Sequence, residues 1–467
     1  NSLARNIKII NSSSTNNTRS GAYFDGGTED ILLSGNYFGN NGADGITLTS
    51  QYISGSHGAI PLLFPNTITI DNNYMQGNVQ HGIHLNAFAY YSSFPSENNP
   101  LMIQKNYISH NGGDGIRNIG FTSGNDKSHV VENRITFNRG SGISIIGAKI
   151  STIPYPISID VNFDYIISNY ISSNGYGPYG TYRGDGISVN LPMFNPPMNT
   201  QTSVRLHADN IFANVIRYNS GHGVAFTNGV NAPNLFHLTM FSKIYQNDIS
   251  VNYWGPGIYV LGLGQFAIPS GWNYINADIR CNDILSTSGG GVQIEEFSTG
   301  SVSVVDKNII EQNTFGVLLY NLSSTTSVVY QNDINSNSRG IDLTGSTTNA
   351  QITYNDIEQN IVHQAYDVDS NFFDHNWWSD YSPTCVDQPP DGWCDIPRPI
   401  PNSNSDLHPK AGISWGWKNR GYFVQNSGWG TGVQVKPSCP IIQLPINGSI
   451  NYTEINQTMP LEPGFRS

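Results

Sequence analysis

Hydrophobic and polar residues alternate along this chain in short bursts that never lengthen into a helical period. Runs such as "SVVYQNDI" (327–334) and "GIDLTG" (340–345) read as strands, because a period of two turns one face inward. An asparagine motif punctuates them. N-x-[apolar]-x-x-N recurs twelve times, starting at Asn36, Asn73, Asn106, Asn133, Asn169, Asn214, Asn247, Asn282, Asn308, Asn332, Asn355 and Asn371. A second Asn follows five positions later in every unit except that of Asn282, which has Thr287. Ten units then carry Gly followed by Ile or Val, as in Gly45-Ile46, Gly115-Ile116 and Gly340-Ile341. Unit starts lie 16 to 45 residues apart, and the bare late units repeat every 23 to 24.

Short strands, Gly and Asn turns and a period of roughly 20 residues predict a parallel β-helix, one coil per repeat, stacked at ~4.8 Å. Equal Asn positions then form a ladder of hydrogen bonds between coils. Asn also tolerates the left-handed backbone that tight corners need, so the ladder Asn is expected there. The helix is expected over 1–378. Residues 379–467, rich in Pro and Trp, read as a C-terminal cap or extension.

The N-x-I-x-x-N…G-I repeat and the closing "NWWSDYSPTC" resemble the right-handed parallel β-helix, or pectate-lyase-like, superfamily. The likeness extends to the repeats of carbohydrate-binding and sugar-hydrolase β-helix proteins. It implies an all-β, right-handed solenoid of about twelve coils over residues 1–378. It implies no particular activity. "DQPPDGWCDIP" is a degraded likeness of a loop in the copper-binding β-helix proteins of nitrous oxide reductase maturation. Prolines interrupt Asp387, Asp391 and Asp395, so neither a metal nor another cofactor is expected there. Gly221-His222-Gly223 looks like the Gly-His-Gly of polygalacturonases, but the Asn-Thr-Asp, Asp-Asp and Arg-Ile-Lys partners are missing. The paired Arg of pectate lyases and the Asp-Pro-His of alginate epimerases are missing too.

Stacking makes distant residues neighbours. The position before each Gly-Ile step reads Asp44, His81, Asp114, Ser141, Asp185, His222; two residues after the Gly come Thr47, His84, Arg117 and Ser144. Asp44, His81, Asp114 and Arg117 are the catalytic candidates, with His84, Asp185 and His222 as binding residues. A carboxylate on each side is expected to raise the His81 pKa and lower those of both Asp. The plainer reading is favoured: Asp-Gly and His-Gly are ordinary turn chemistry, with Asp capping its own backbone. Excess residues follow the Gly-Ile strand in the earlier units, at 49–66, 86–100, 147–157, 190–203, 227–238 and 261–277. Such loops stack into a wall beside the columns. Tyr90, Tyr91, Phe94 and Phe194 within them are candidate sugar platforms, or simply pack the loops together.

Composition narrows the partners. The 467 residues carry a net charge of −12 and only 12% charged side chains, without a Lys/Arg cluster. Nucleic acid is therefore not expected as a partner, whereas neutral glycans meet no electrostatic obstacle. No apolar stretch of ~18 residues exists to span a membrane. The chain starts at Asn1 without a signal peptide and reads as a processed piece. Sequons begin at Asn11, Asn16, Asn321, Asn447, Asn451 and Asn456. Cys281, Cys385, Cys394 and Cys439 allow three disulfide pairings; Cys385–Cys394 would close a Pro-rich loop, and Cys281–Cys439 would tie the tail to the body. Extracellular or cell-surface location follows from these signs as an expectation.

The first coil, "NSLARNIKIINSSS", has no capping helix, so its edge is expected to be covered by another domain, another subunit or the tail. "CPIIQLPINGSINYT" has the character of a donated strand. The expected function is a structural or adhesive component that self-assembles or binds a glycan. The competing expectation is a polysaccharide lyase or glycoside hydrolase acting in a groove along the helix.

Overall fold

Alternating apolar residues become stacked strands throughout. The computed structural model describes residues 4–26, 28–49, 66–86, 100–119, 128–147, 157–176, 184–191, 202–228, 236–262, 273–295, 302–322, 326–369, 371–381, 394, 396–401 and 404–410. The chain divides into Asn1–Ser414 and Trp415–Ser467, the second wholly outside the described residues. No helix among the described residues is long and apolar enough to cross a membrane.

Coils give one strand to each of three sheets, which among the described residues hold fifteen, thirteen and twelve strands, all parallel except Arg398–Ile400. One coil, for example, consists of Leu101–Gln104, Tyr107–Ser109 and Ile116–Ile119. This is a right-handed parallel β-helix. It starts one coil before the first Asn unit, with Ala4–Ile10, Ser13–Thr15 and Ala22–Phe24. There Ser12 and Asn17 hold the two ladder positions, Ser12 donating its N–H and Asn17 its Nδ2 to Asn36 and Asn41 Oδ1, each at 2.9 Å.

The middle residue of each three-residue strand points inward, so Phe38, Met75, Ile108, Ile135 and Ile171 stack as a buried column. That stack explains the glycine of the Gly-Ile steps. A Cβ on Gly82, Gly115 or Gly142 would lie 2.3–2.4 Å from Cγ2 of the next coil's isoleucine. Space, rather than an unusual backbone angle, requires glycine there.

The ladders also form. Asn106 Nδ2 donates to Asn133 Oδ1 at 3.0 Å and to Ile70 O at 2.8 Å, while its N–H donates to the same Oδ1. The left-handed corner, however, falls on the residue before each ladder Asn: Lys105 (φ 53), His110 (φ 54), Glu132 (φ 54), Phe137 (φ 57) and Val251 (φ 50) are examples. The Asn must aim both its amide and its side chain at the next coil, so its neighbour makes the turn. Each non-glycine corner costs about 1–3 kcal/mol, which the ladder bonds offset.

The last repeat departs from the expected register. Asn376, 21 residues after Asn355, accepts from Asn355 Nδ2 at 2.9 Å and continues the first ladder. Asn371 sits at another corner, where its Oδ1 accepts the Ala350 N–H at 2.9 Å. Thr287 interrupts the second ladder at a cost: Asn252 Nδ2, in the coil before it, is buried without a partner.

The two ends differ. Asp406, from strand Asn404–Asp406, closes the first ladder, its Oδ2 accepting from Asn376 N and Nδ2 at 3.0 Å and from Trp378 Nε1 at 2.9 Å. Gln364 Oε1 closes the second, accepting from Asn360 Nδ2 at 2.7 Å. The first sheet thus runs past residue 378 to Asp406, where Arg398–Ile400 pairs antiparallel to it. At the other end, the three first-coil strands have a partner on one side only among the described residues. Ile7 and Ile9 are only partly buried there, although their register partners Ile31 and Leu33 are fully buried. Cys281 and Cys394 are both disulfide-bonded, whereas Cys385 and Cys439 lie outside the described residues.

Candidate functional site

The residues preceding the third-sheet strands stack as their spacing implies, and they act as a third ladder. Asp44 Oδ1 accepts the His81 N–H at 2.9 Å, and His81 Nδ1 accepts the Asp114 N–H at 2.8 Å. Asp114 Oδ1 accepts from Ser141 N at 2.8 Å, Ser141 Oγ from Asp185 N at 3.1 Å, and Asp185 Oδ1 from His222 N at 2.9 Å. These side chains cap the next coil, which corrects the expectation that each Asp caps its own backbone.

The second column lies directly alongside. His84 pairs in register with Thr47 on one side and Arg117 on the other. His84 Nδ1 is 3.1 Å from Asp44 Oδ2, which also accepts the Thr47 hydroxyl at 2.8 Å. Arg117 Nη1 lies 3.7 Å from Asp114 Oδ2 and 3.3 Å from His81 Nε2. The five residues Asp44, His81, His84, Asp114 and Arg117 are therefore one cluster.

Its electrostatics reverse part of the expectation. Burial, reinforced by Arg117 and His84, drives the His81 pKa down to about 3. Burial pushes Asp114 up to about 6, against the pull of Arg117. Only Asp44 moves as expected: burial pushes it up, but His84, the His81 N–H and Thr47 outweigh that and hold it below its usual value. At His81 and Asp114, desolvation in the buried column outweighs the neighbouring charges.

Hydrogen bonding fixes the His81 tautomer. Its Nδ1 accepts the Asp114 N–H, which puts the single proton of the neutral ring on Nε2 and makes the 3.3 Å approach of Arg117 Nη1, itself a donor, a contact rather than a hydrogen bond. Donor atoms of Asp44, His81 and His84 lie within 4.8 Å of one another, yet His81 has no lone pair left for a cation, and Arg117 stands beside it. The set does not fit a metal. What it leaves over is His84 Nε2, buried without a partner on a ring that Asp44 orients, together with a similarly unpartnered Arg117 Nε. An imidazole held by a carboxylate with its far nitrogen free is a candidate general base.

Asp185 and His222 form a separate pair one coil beyond Ser141. His222 Nδ1 is 2.8 Å from Asp185 Oδ1, and its ring stacks on Tyr259 at 4.8 Å. Tyr90, Tyr91, Phe94 and Phe194 lie outside the described residues, as do Asn447, Asn451 and Asn456. Asn11, Asn16 and Asn321 all occupy left-handed corners, and the first two are exposed. The chain matches no known protein-family profile, and no curated protein is significantly similar to it. The sequence marked every member of the cluster through its columns. It did not single out His84 over His81 as the residue with a free nitrogen, because only the Asp114 amide distinguishes them.

Proposed function

We propose that this protein is a secreted or cell-surface structural component, a pectate-lyase-like β-helix in architecture that holds together an adhesive or self-assembling surface. One observation carries the reading: the acceptors of Asp44, His81, Asp114, Ser141 and Asp185 are each committed to the next coil's amide. Groups so engaged maintain the solenoid and are poorly placed to exchange protons with a substrate. The disulfide-bonded Cys281 and Cys394 favour an oxidising compartment.

Incubation with a panel of neutral and anionic glycans tests the catalytic side. No product is expected, and Asp114→Asn, which keeps the acceptor, should fold like the parent. Cleavage of any glycan by the parent chain but not by Asp114→Asn overturns the structural reading. For assembly, sedimentation should show mass rising with concentration, and Ile10→Lys on the exposed edge strand should abolish the rise. A parent chain that stays monomeric at all concentrations removes self-assembly.

A glycan-cleaving reading has one observation in its favour, the free Nε2 of His84 beside Arg117. In a lyase, Nε2 would take the C5 proton beside a uronate carboxylate that Arg117 neutralises. The freed electron pair would form a C4–C5 double bond as the C4–O bond breaks, and the leaving oxygen would take a proton from water. His84→Asn would then abolish turnover of a polyuronate.

A further inference from the structure

A second group of donor atoms lies at the closed end, far along the solenoid from the columns. Asp374 ends the strand Phe372–Asp374, and His375 follows it at a left-handed corner (φ 59). His375 stacks flat on Tyr354, with centroids 4.9 Å apart and planes 9° apart, which fixes its ring. His408 comes from the segment just beyond the strand Asn404–Asp406, and its N–H donates to Asp406 Oδ1 at 3.3 Å. The two imidazoles converge on one carboxylate: His375 Nδ1 is 2.7 Å from Asp374 Oδ2 and His408 Nδ1 is 2.8 Å from Oδ1.

We propose that Asp374, His375 and His408 bind one borderline divalent cation, of which Zn2+ is the type, and so clamp the segment carrying Asp406 to the last coil. All three donor atoms lie within 4.8 Å of one another. Zinc bonds of about 2.0–2.2 Å need donors about 3–3.5 Å apart, which small rotations of the side chains supply. Two imidazoles and a carboxylate select Zn2+, Cu2+ or Ni2+ over the hard cations Ca2+ and Mg2+. Three protein ligands leave a coordination position for water, and the 59% exposure of the His408 side chain opens the site to solvent. Both Nδ1 atoms face the Asp374 carboxylate, so an ion placed between them takes the position of the Nδ1 proton on each ring. Among the described residues, Lys410 is the cation beside Tyr354, its Nζ 3.4 Å from Tyr354 O.

The role follows from the pairing. Asp406 meets the preceding strand through a single register pair, with Phe373, yet it closes the first Asn ladder. An ion joining His408 to Asp374 would secure that closure.

The full chain, stripped with a chelator, should take up one Zn2+ in a calorimetric titration, and Co2+ in its place should give the intense visible bands of a four-coordinate site. His408→Ala and Asp374→Asn should each weaken uptake roughly tenfold or more, while His84→Ala in the other cluster leaves it unchanged. Zn2+ should also raise the melting temperature of the parent but not of His408→Ala. No uptake by the folded chain, uptake unchanged in both variants, or loss only in His84→Ala would each overturn the proposal.

Discussion

The first described coil and the last are built from the same repeat and carry different side chains in its ladders. At the last coil, Asp406 and Gln364 replace the Asn of a further coil, and the donors of Asn376 and Asn360 are satisfied. At the first coil, Ser12 stands where Asn belongs, and Ile7 and Ile9 are left partly exposed. A ladder of identical amides carries no stop signal of its own. It ends where a different acceptor takes the Asn position, Gln364 from the same coil in one ladder and Asp406 from a distant segment in the other.

The sharpest way to break this difference is Asp406→Ala. Three buried donors lose their acceptor, and unfolding by urea should show a loss of roughly 3–5 kcal/mol. Ser12→Ala at the open end should change stability by less than about 0.5 kcal/mol. Equal effects at the two ends would refute the contrast.

Acid should separate the ends next. The buried titrating column of coils two to four lies towards the open end. His81 has a folded pKa near 3 against an ordinary 6.5, so stability from its neutral ring is complete above 6.5 and is lost as pH falls towards 3. Asp114, near 6 against an ordinary 3.8, acts in the opposite sense, and its contribution grows as pH falls from 6 to 3.8. The histidine range is the wider, so the net effect of these two groups is acid destabilisation. Asp114→Asn should steepen it and His81→Asn should reverse it, as amide-exchange protection of the early coils would record.

Repairing the ladders should give smaller, stabilising effects. Thr287→Asn supplies the acceptor that the buried Nδ2 of Asn252 lacks, and melting should show a gain of about 1–2 kcal/mol. Ser12→Asn adds a rung at the open end and should gain less than about 1 kcal/mol, because that rung is half solvated.

Much of this was legible because a β-helix converts sequence period into spatial contact. Asn106, Asn111 and Gly115 could be placed from spacing alone, and so could the neighbourhood of His84 and Arg117. The last repeat was not legible: Asn371 and Asn376 satisfy the five-residue rule, yet only Asn376 lies above Asn355. Pattern matching cannot see which carbonyl a side chain reaches. The corner residues were hidden for another reason. Lys105, Phe137 and Val251 carry no propensity for left-handed backbone, and adopt it because the following Asn is anchored.

By itself the sequence determined the coil, its ladders and the residues that would stack, since all three follow from a period and the inward face of a strand. Tertiary structure decided what those stacks are chemically. Burial made His81 neutral and Asp114 hard to ionise, and one backbone amide left the free nitrogen on His84 rather than His81. It also brought His408 back onto Asp374 and His375 and Asp406 onto Asn376, across some thirty residues of chain. Desolvation and the return of a distant segment are properties of the packed molecule, and no local spacing encodes them.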